Sequence, residues 1–94
     1  MKGNSVYKIP DGKLMKISLD YDTKSNKINK LKITGDFFVY PEEGIEIIEN
    51  EMENTIIDRD IIYNKIEKII NTNLIQLIGL NSDGITKGIM MCIK

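Results

Sequence analysis

Hydrophobic and polar positions alternate with a period of two through the first third of the chain and change to helical spacing after Pro41. Met15, Ile17, Leu19 and Tyr21 are separated by Lys16, Ser18 and Asp20, the pattern of a strand with one buried and one solvated face. Leu31 and Ile33 repeat it against Lys30, Lys32 and Thr34. Ile28 falls out of that phase, which predicts a bulge near Asn29. The polar segment Asp22 to Asn26 has hairpin length, so the two strands should pair antiparallel. A short first strand is expected over Ser5–Ile9, before the Asp11-Gly12 turn signal.

The period of two fails at Gly35-Asp36. If the strand nevertheless continues, Gly35, Phe37 and Val39 share the core side, and Phe38 and Tyr40 fall on the wet side with the lysines. Adjacent phenylalanines of an extended chain point to opposite faces, so one of them needs a second surface. A helix of the domain or a partner could supply it, unless a local bend at Gly35-Asp36 turns Phe38 and Tyr40 inward. Pro41 suits the first position of a helix, and Glu42 and Glu43 suit its positive end, so a helix is expected over 41–53. Its inner face would carry Ile45, Ile48 and Met52, with Ile47 at the margin, and Glu46, Glu49 and Glu53 would face away.

After a break at Asn54 to Ile57, Asp58 is placed to cap a second helix, with Ile62, Ile66, Ile69 and Ile70 inward and an end near Asn71 to Asn73. Leu74 to Leu80 reads as a strand or an extended approach to Gly79. Asn81-Ser82-Asp83 can cap a third helix, with Ile85, Ile89, Cys92 and Ile93 as its apolar stripe. Gly84 and Gly88 weaken that helix by about 1 kcal/mol each relative to alanine. Their spacing either allows close backbone approach or is ordinary tolerance of glycine. The expected architecture is α+β: a three-stranded antiparallel sheet with about three helices on one face and the lysine-bearing face open. The 94 residues make a single domain over 1–94, with no repeat or linker.

Charge changes this picture in one respect. The net charge is -1, but residues 1–34 carry +5 and residues 35–60 carry −8. A basic half raises the possibility of nucleic-acid binding. The lysines alternate with apolar residues as on a solvated sheet face, with no interleaved aromatics to stack on bases, so the sequence predicts no nucleic-acid partner. A small regulatory module using the Lys16, Lys30 and Lys32 face is kept as a lesser alternative. The chain shows no signal-like segment and no apolar run of membrane-spanning length. With one cysteine it can form no internal disulfide. A cytoplasmic protein without a membrane partner is expected.

The residues offer little catalytic chemistry. The sequence contains no histidine, the usual general base near neutral pH. The glutamates between Glu42 and Glu53 read as a solvated helix face rather than as a paired-carboxylate site. Cys92 sits on an apolar stripe and is expected in the core. No zinc, iron–sulfur or calcium ligand spacing occurs, and Gly35-Asp36 is no phosphate-binding loop. Asp36 is expected to act as a turn or capping residue. Taken alone, the residues describe a small module that acts by binding, with no catalytic, cofactor or metal site of its own.

The run Ile33-Thr34-Gly35-Asp36-Phe37-Phe38-Val39-Tyr40-Pro41-Glu42-Glu43 resembles the small accessory domain of lipoate–protein ligases, C-terminal in bacteria and a separate short protein in some archaea. Gly12-Lys13-Leu14 and Leu77-Ile78-Gly79-Leu80 support the resemblance, which extends from about Lys8 to Ile93. Family members usually carry a histidine where this chain has Tyr40. The resemblance implies a non-catalytic subunit that binds a large catalytic subunit and enables ATP-dependent lipoate adenylation to lipoyl-AMP. ATP, Mg and lipoate are then used by the complex and not held by this chain. A lipoyl-acceptor protein is an indirect partner. The residues carried over as a partner interface are Gly35, Asp36, Phe37, Phe38, Pro41 and Glu42, and the strand phase adds Tyr40. The order of strands and helices also resembles an iron–sulfur scaffold or sulfur acceptor, here without the cysteines that such proteins carry at this turn.

Overall fold

The computed structural model describes residues 1–93. Strands β1 (Lys2–Lys8), β2 (Leu14–Asp22) and β3 (Lys27–Gly35) form an antiparallel sheet in that order. On β2, Met15, Ile17, Leu19 and Tyr21 are all buried and their neighbours lie in the open or half-open, as a strand solvated on one face requires. Asp22 closes the β2–β3 hairpin: its carboxylate accepts from the Lys24 N–H at 3.0 Å and from the Ser25 hydroxyl at 2.8 Å. The bond from the Lys24 amide, then that from Ser25, holds its pKa below the usual carboxylate value. Asp20 pairs with Lys30 and Tyr21 with Ile28, so Asn29 is the unpaired extra residue and restores Ile28 to the buried face.

The first strand is longer and earlier than Ser5–Ile9. Its buried positions are Gly3 and Ser5, whose small size hides the alternation from a reading based on hydrophobicity. Ile9 is buried just beyond the strand.

Three helices cover the inner face of the sheet: α1 (Gly44–Glu51), α2 (Arg59–Asn73) and α3 (Ser82–Met91). Asp58 caps α2 by accepting from the Ile61 N–H at 3.1 Å, and Asn81 caps α3 by accepting from the Gly84 N–H at 2.7 Å. Ile48, Met52, Ile62, Ile66, Ile85 and Ile89 are fully enclosed and meet Met15, Ile17, Leu19 and Ile28 of the sheet. Glycines set how closely α3 lies on the strands. A Cβ on Gly88 would stand 2.6 Å from Met15 Cε, and one on Gly3 would stand 2.0 Å from the Cys92 carbonyl oxygen. The Ser5 hydroxyl donates to the Gly88 carbonyl at 2.7 Å. Close approach, not mere tolerance, explains these positions. Cys92 is in the core as expected, and burial pushes its thiol pKa up.

Helix α1 departs from expectation. Pro41 follows a cis peptide bond, and its carbonyl accepts from the Gly44 N–H at 2.8 Å in a turn. The helix therefore begins at Gly44 rather than at Pro41, with Glu43 at the cap position, and ends at Glu51. Glu49 does not face away: it is half-buried, and its carboxylate accepts from the Ile33 N–H on the outer edge of β3 at 2.7 Å. The Asn54–Ile57 break lies along the same edge, where the Thr55 carbonyl accepts from Ile28 N–H and the Asn26 carbonyl from Ile57 N–H.

Candidate functional site

The chain does not continue the sheet through Gly35. It leaves β3 there, and after Asp36-Phe37 it forms β4 (Phe38–Tyr40), which pairs antiparallel with β5 (Gln76–Ile78). These six residues make a separate two-stranded ribbon. Gly35 allows the departure, because a Cβ at that position would stand 2.3 Å from the Leu14 carbonyl oxygen and 2.9 Å from the Phe37 ring. The Asp36 N–H then donates to the same carbonyl at 3.2 Å, and the Lys13 N–H donates to the Gly79 carbonyl at 2.8 Å. Backbone bonds thus tie both strands of the ribbon to the loop that begins β2.

Within the ribbon, side chains divide by parity as they must in extended chain. Val39 and Leu77 pair and face the core, half-buried. Phe38 is 66% exposed and stands opposite Ile78, 44% exposed. Tyr40 is 57% exposed and stands opposite Gln76. The outward face is therefore a ladder of two aromatics and an isoleucine. Phe38 and Ile78, directly opposite, lie about 4.5–5.5 Å apart, and Tyr40 stands on the same face two positions further along β4. Leu74, two residues before Gln76, is 84% exposed and takes the left-handed conformation, φ 52°, at the end of α2. A bulky side chain is costly there, by about 1–2 kcal/mol.

The expected interface residues are thus only partly brought together. Phe38 and Tyr40 share the outward face, on the ribbon rather than among the lysines. Phe37 turns inward, half-buried, and packs on Gly35. Pro41 is half-buried in the turn before α1, and Glu42 is exposed beside it. Asp36 is exposed, and its carboxylate has no hydrogen-bond or ion-pair partner among the described residues, so its contribution to the turn is its backbone N–H. Ile78 and Gln76 were missed. Their signal was the alternation inside Leu74 to Leu80, where Ile75 and Leu77 point in and Gln76 and Ile78 point out.

Below the ribbon an open groove of about 460 Å³ runs between α2 and the start of α3, floored by Ile70, Ile75 and Leu77. Among the described residues no cluster of three or more His, Cys, Asp or Glu is arranged to hold a metal. No helix among them is long and apolar enough to cross a membrane.

The fold is an α+β module that carries exposed Phe38, Tyr40 and Ile78 on the outward face of a short ribbon. Residues 12–87 match the family model described as bacterial lipoate protein ligase C-terminus, and the chain belongs to that family. It is also similar to a chain in the solved structure of the archaeal lipoylation system of Thermoplasma acidophilum, a bi-partite lipoate protein ligase and its E2 lipoyl domain. The two chains share 26% identity and a TM-score of 0.77, over 100% of this chain and 97% of the other. No curated protein matches the sequence.

Proposed function

We propose that this chain is the non-catalytic accessory part of a two-part lipoate–protein ligase. It binds the large catalytic part through the outward face of the β4–β5 ribbon and favours the conformation in which lipoate and ATP become lipoyl-AMP. The observation that carries this reading is the exposed ladder of Phe38, Tyr40 and Ile78 in a chain of the lipoate protein ligase C-terminal family. The similar archaeal ligase is bi-partite, which supports a separate large partner for this chain too. ATP, Mg and lipoate belong to that partner in this reading, and the finished lipoyl group passes to an acceptor protein.

Activation of this kind is a shift of population, and a ligand moves an equilibrium only by its differential affinity for the two states. Raising the adenylating population a thousandfold takes about 4 kcal/mol of preference. A few well-packed aromatic anchors reach that magnitude, since interface energy concentrates in such residues. The experiment is reconstitution: the large part is assayed for ATP-dependent lipoyl-AMP formation with and without this protein. Formation only in the mixture is expected, and equal rates in both would overturn the proposal. The iron–sulfur alternative gains nothing from the geometry, because Cys92, the sole thiol of the sequence, lies in the core against Ser5 and Gly88.

A further inference from the structure

The ribbon leaves the open face of the three-stranded sheet unused. Across the strands its rows run Lys2–Asp20–Lys30 and Asn4–Ser18–Lys32, with Lys16 and Lys8 continuing toward the ribbon end. Five lysines therefore stand against one aspartate. All five are exposed, and among the described residues no lysine forms an ion pair. Lys2 and Lys30 flank the same central strand, about 10 Å apart at two strand spacings. That is near one screening length at 0.1 M salt, so their fields add. Between them lies an open depression of about 330 Å³ lined by Asn4, Ser18, Lys32 and Asp20, whose carboxylate pairs with the N-terminal ammonium at 3.8 Å, while the Ser18 hydroxyl donates to Asn4 Oδ1 at 2.8 Å. Glu46, Glu49 and Glu51 lie on α1 and Asp36, Glu42 and Glu43 in the segment ahead of it, away from the lysine rows.

The chemistry of the face selects its partner. Arg59, the only arginine of the chain, is on α2, and the face carries no exposed aromatic ring. It thus lacks the fork for bidentate phosphate binding and the platform for base stacking. Exposed Val6 and Leu14 lie beside Lys16 and Lys8 on this face, and lysines set among Asn4, Ser18, Thr34 and these two small apolar patches suit carboxylates on a folded protein. The two exposed surfaces also suit different duties. An apolar ladder makes a durable subunit contact, whereas separated charges raise the encounter rate and let the partner leave. In a ligase, the protein that must arrive and depart at every turnover is the acceptor.

We infer that the lysine face of the sheet docks an acidic surface of the protein that receives the lipoyl group. This inference rests on the accessory role proposed above. The test uses the reconstituted two-part ligase, with an E2 lipoyl domain as the acceptor probe, and compares the wild type with Lys16→Glu/Lys32→Glu. Both side chains are exposed, and circular dichroism confirms that the variant is folded. The expected result is unchanged lipoyl-AMP formation, a KM for the acceptor raised roughly tenfold or more with kcat nearly constant, and loss of the salt dependence of KM. An unchanged acceptor KM with adenylation intact overturns the docking inference while leaving the accessory role standing. Equal loss of adenylation makes the face a ligase contact and also overturns it. So does retention of duplex DNA or RNA at 0.15 M salt that the substitutions abolish while the acceptor KM stays the same. If the wild-type protein has no effect on adenylation, it is the accessory role that fails.

Discussion

Replacing Phe38 and Tyr40 together by alanine separates folding from binding, and the structure sets both magnitudes. Full burial of a large side chain contributes about 2.5 kcal/mol. Phe38 and Tyr40 leave 66% and 57% of their surface in water. A partner that covers the remainder therefore gains about 3 kcal/mol, and losing it weakens Kd roughly 150-fold. The part already covered within the chain is worth about 2 kcal/mol to folding, a fall in Tm of about 10 °C for a domain of this size. The variant should stay folded at 25 °C, since domains hold about 5–15 kcal/mol in reserve. Titration calorimetry against the large ligase part measures the first quantity and a thermal melt the second. A folded variant whose Kd stays within threefold of wild type would remove the ribbon as the anchor, whatever happens to Tm.

Gly3→Ala should destabilise the fold by about 3 kcal/mol, because its Cβ meets the Cys92 backbone oxygen, which cannot rotate away. Gly88→Ala should cost less in the same denaturant titration, since its Cβ meets only side-chain ends, Met15 Cε and Ile17 Cδ1, rather than backbone, and it gains helix propensity. Asp58→Ala should cost about 1 kcal/mol through loss of the cap on Ile61 N–H, with the chemical-denaturation midpoint as the readout. Cys92 should react with a thiol reagent only after unfolding. Its folded pKa lies above the unfolded value, so its stabilising contribution is complete below about pH 9 and is lost as pH rises through the folded pKa. The decline in stability on the alkaline side should be shallower in Cys92→Ala than in the wild type, and equal slopes would contradict it.

Local signals carried the sheet and two of the helices. The alternation of Met15 to Tyr21, the phase slip at Ile28 and the Asp58 and Asn81 caps each act over a few residues, so they are legible without knowing what packs against them. The ribbon was not legible as a ribbon. Its strands have three residues each, and Phe38 finds Ile78 across forty positions of sequence, a pairing that no periodicity records. The strand phase did require Phe38 and Tyr40 to share a face away from Val39, and they do. It could not say which sheet that face belongs to. Pro41-Glu42-Glu43 carried the chemistry of a helix start but lies in the turn ahead of it, because Gly44 packs against Val39 and Ile75 and the helix begins there. Gly3 and Ser5 hid the first strand by being small, and Glu49 hid its backbone contact by looking like any solvated glutamate.

That contact of Glu49 with Ile33, together with the Thr55, Asn54 and Ile57 bonds at Ile28 and Asn26, blocks the rim of β3 at both ends. The opposite rim, along β1, has no backbone partner beyond β2 among the described residues. The three-stranded sheet can therefore grow in one direction only. Two copies meeting rim to rim through β1 would satisfy each other and leave this sheet no second free rim, so pairing through the three-stranded sheet ends at a pair.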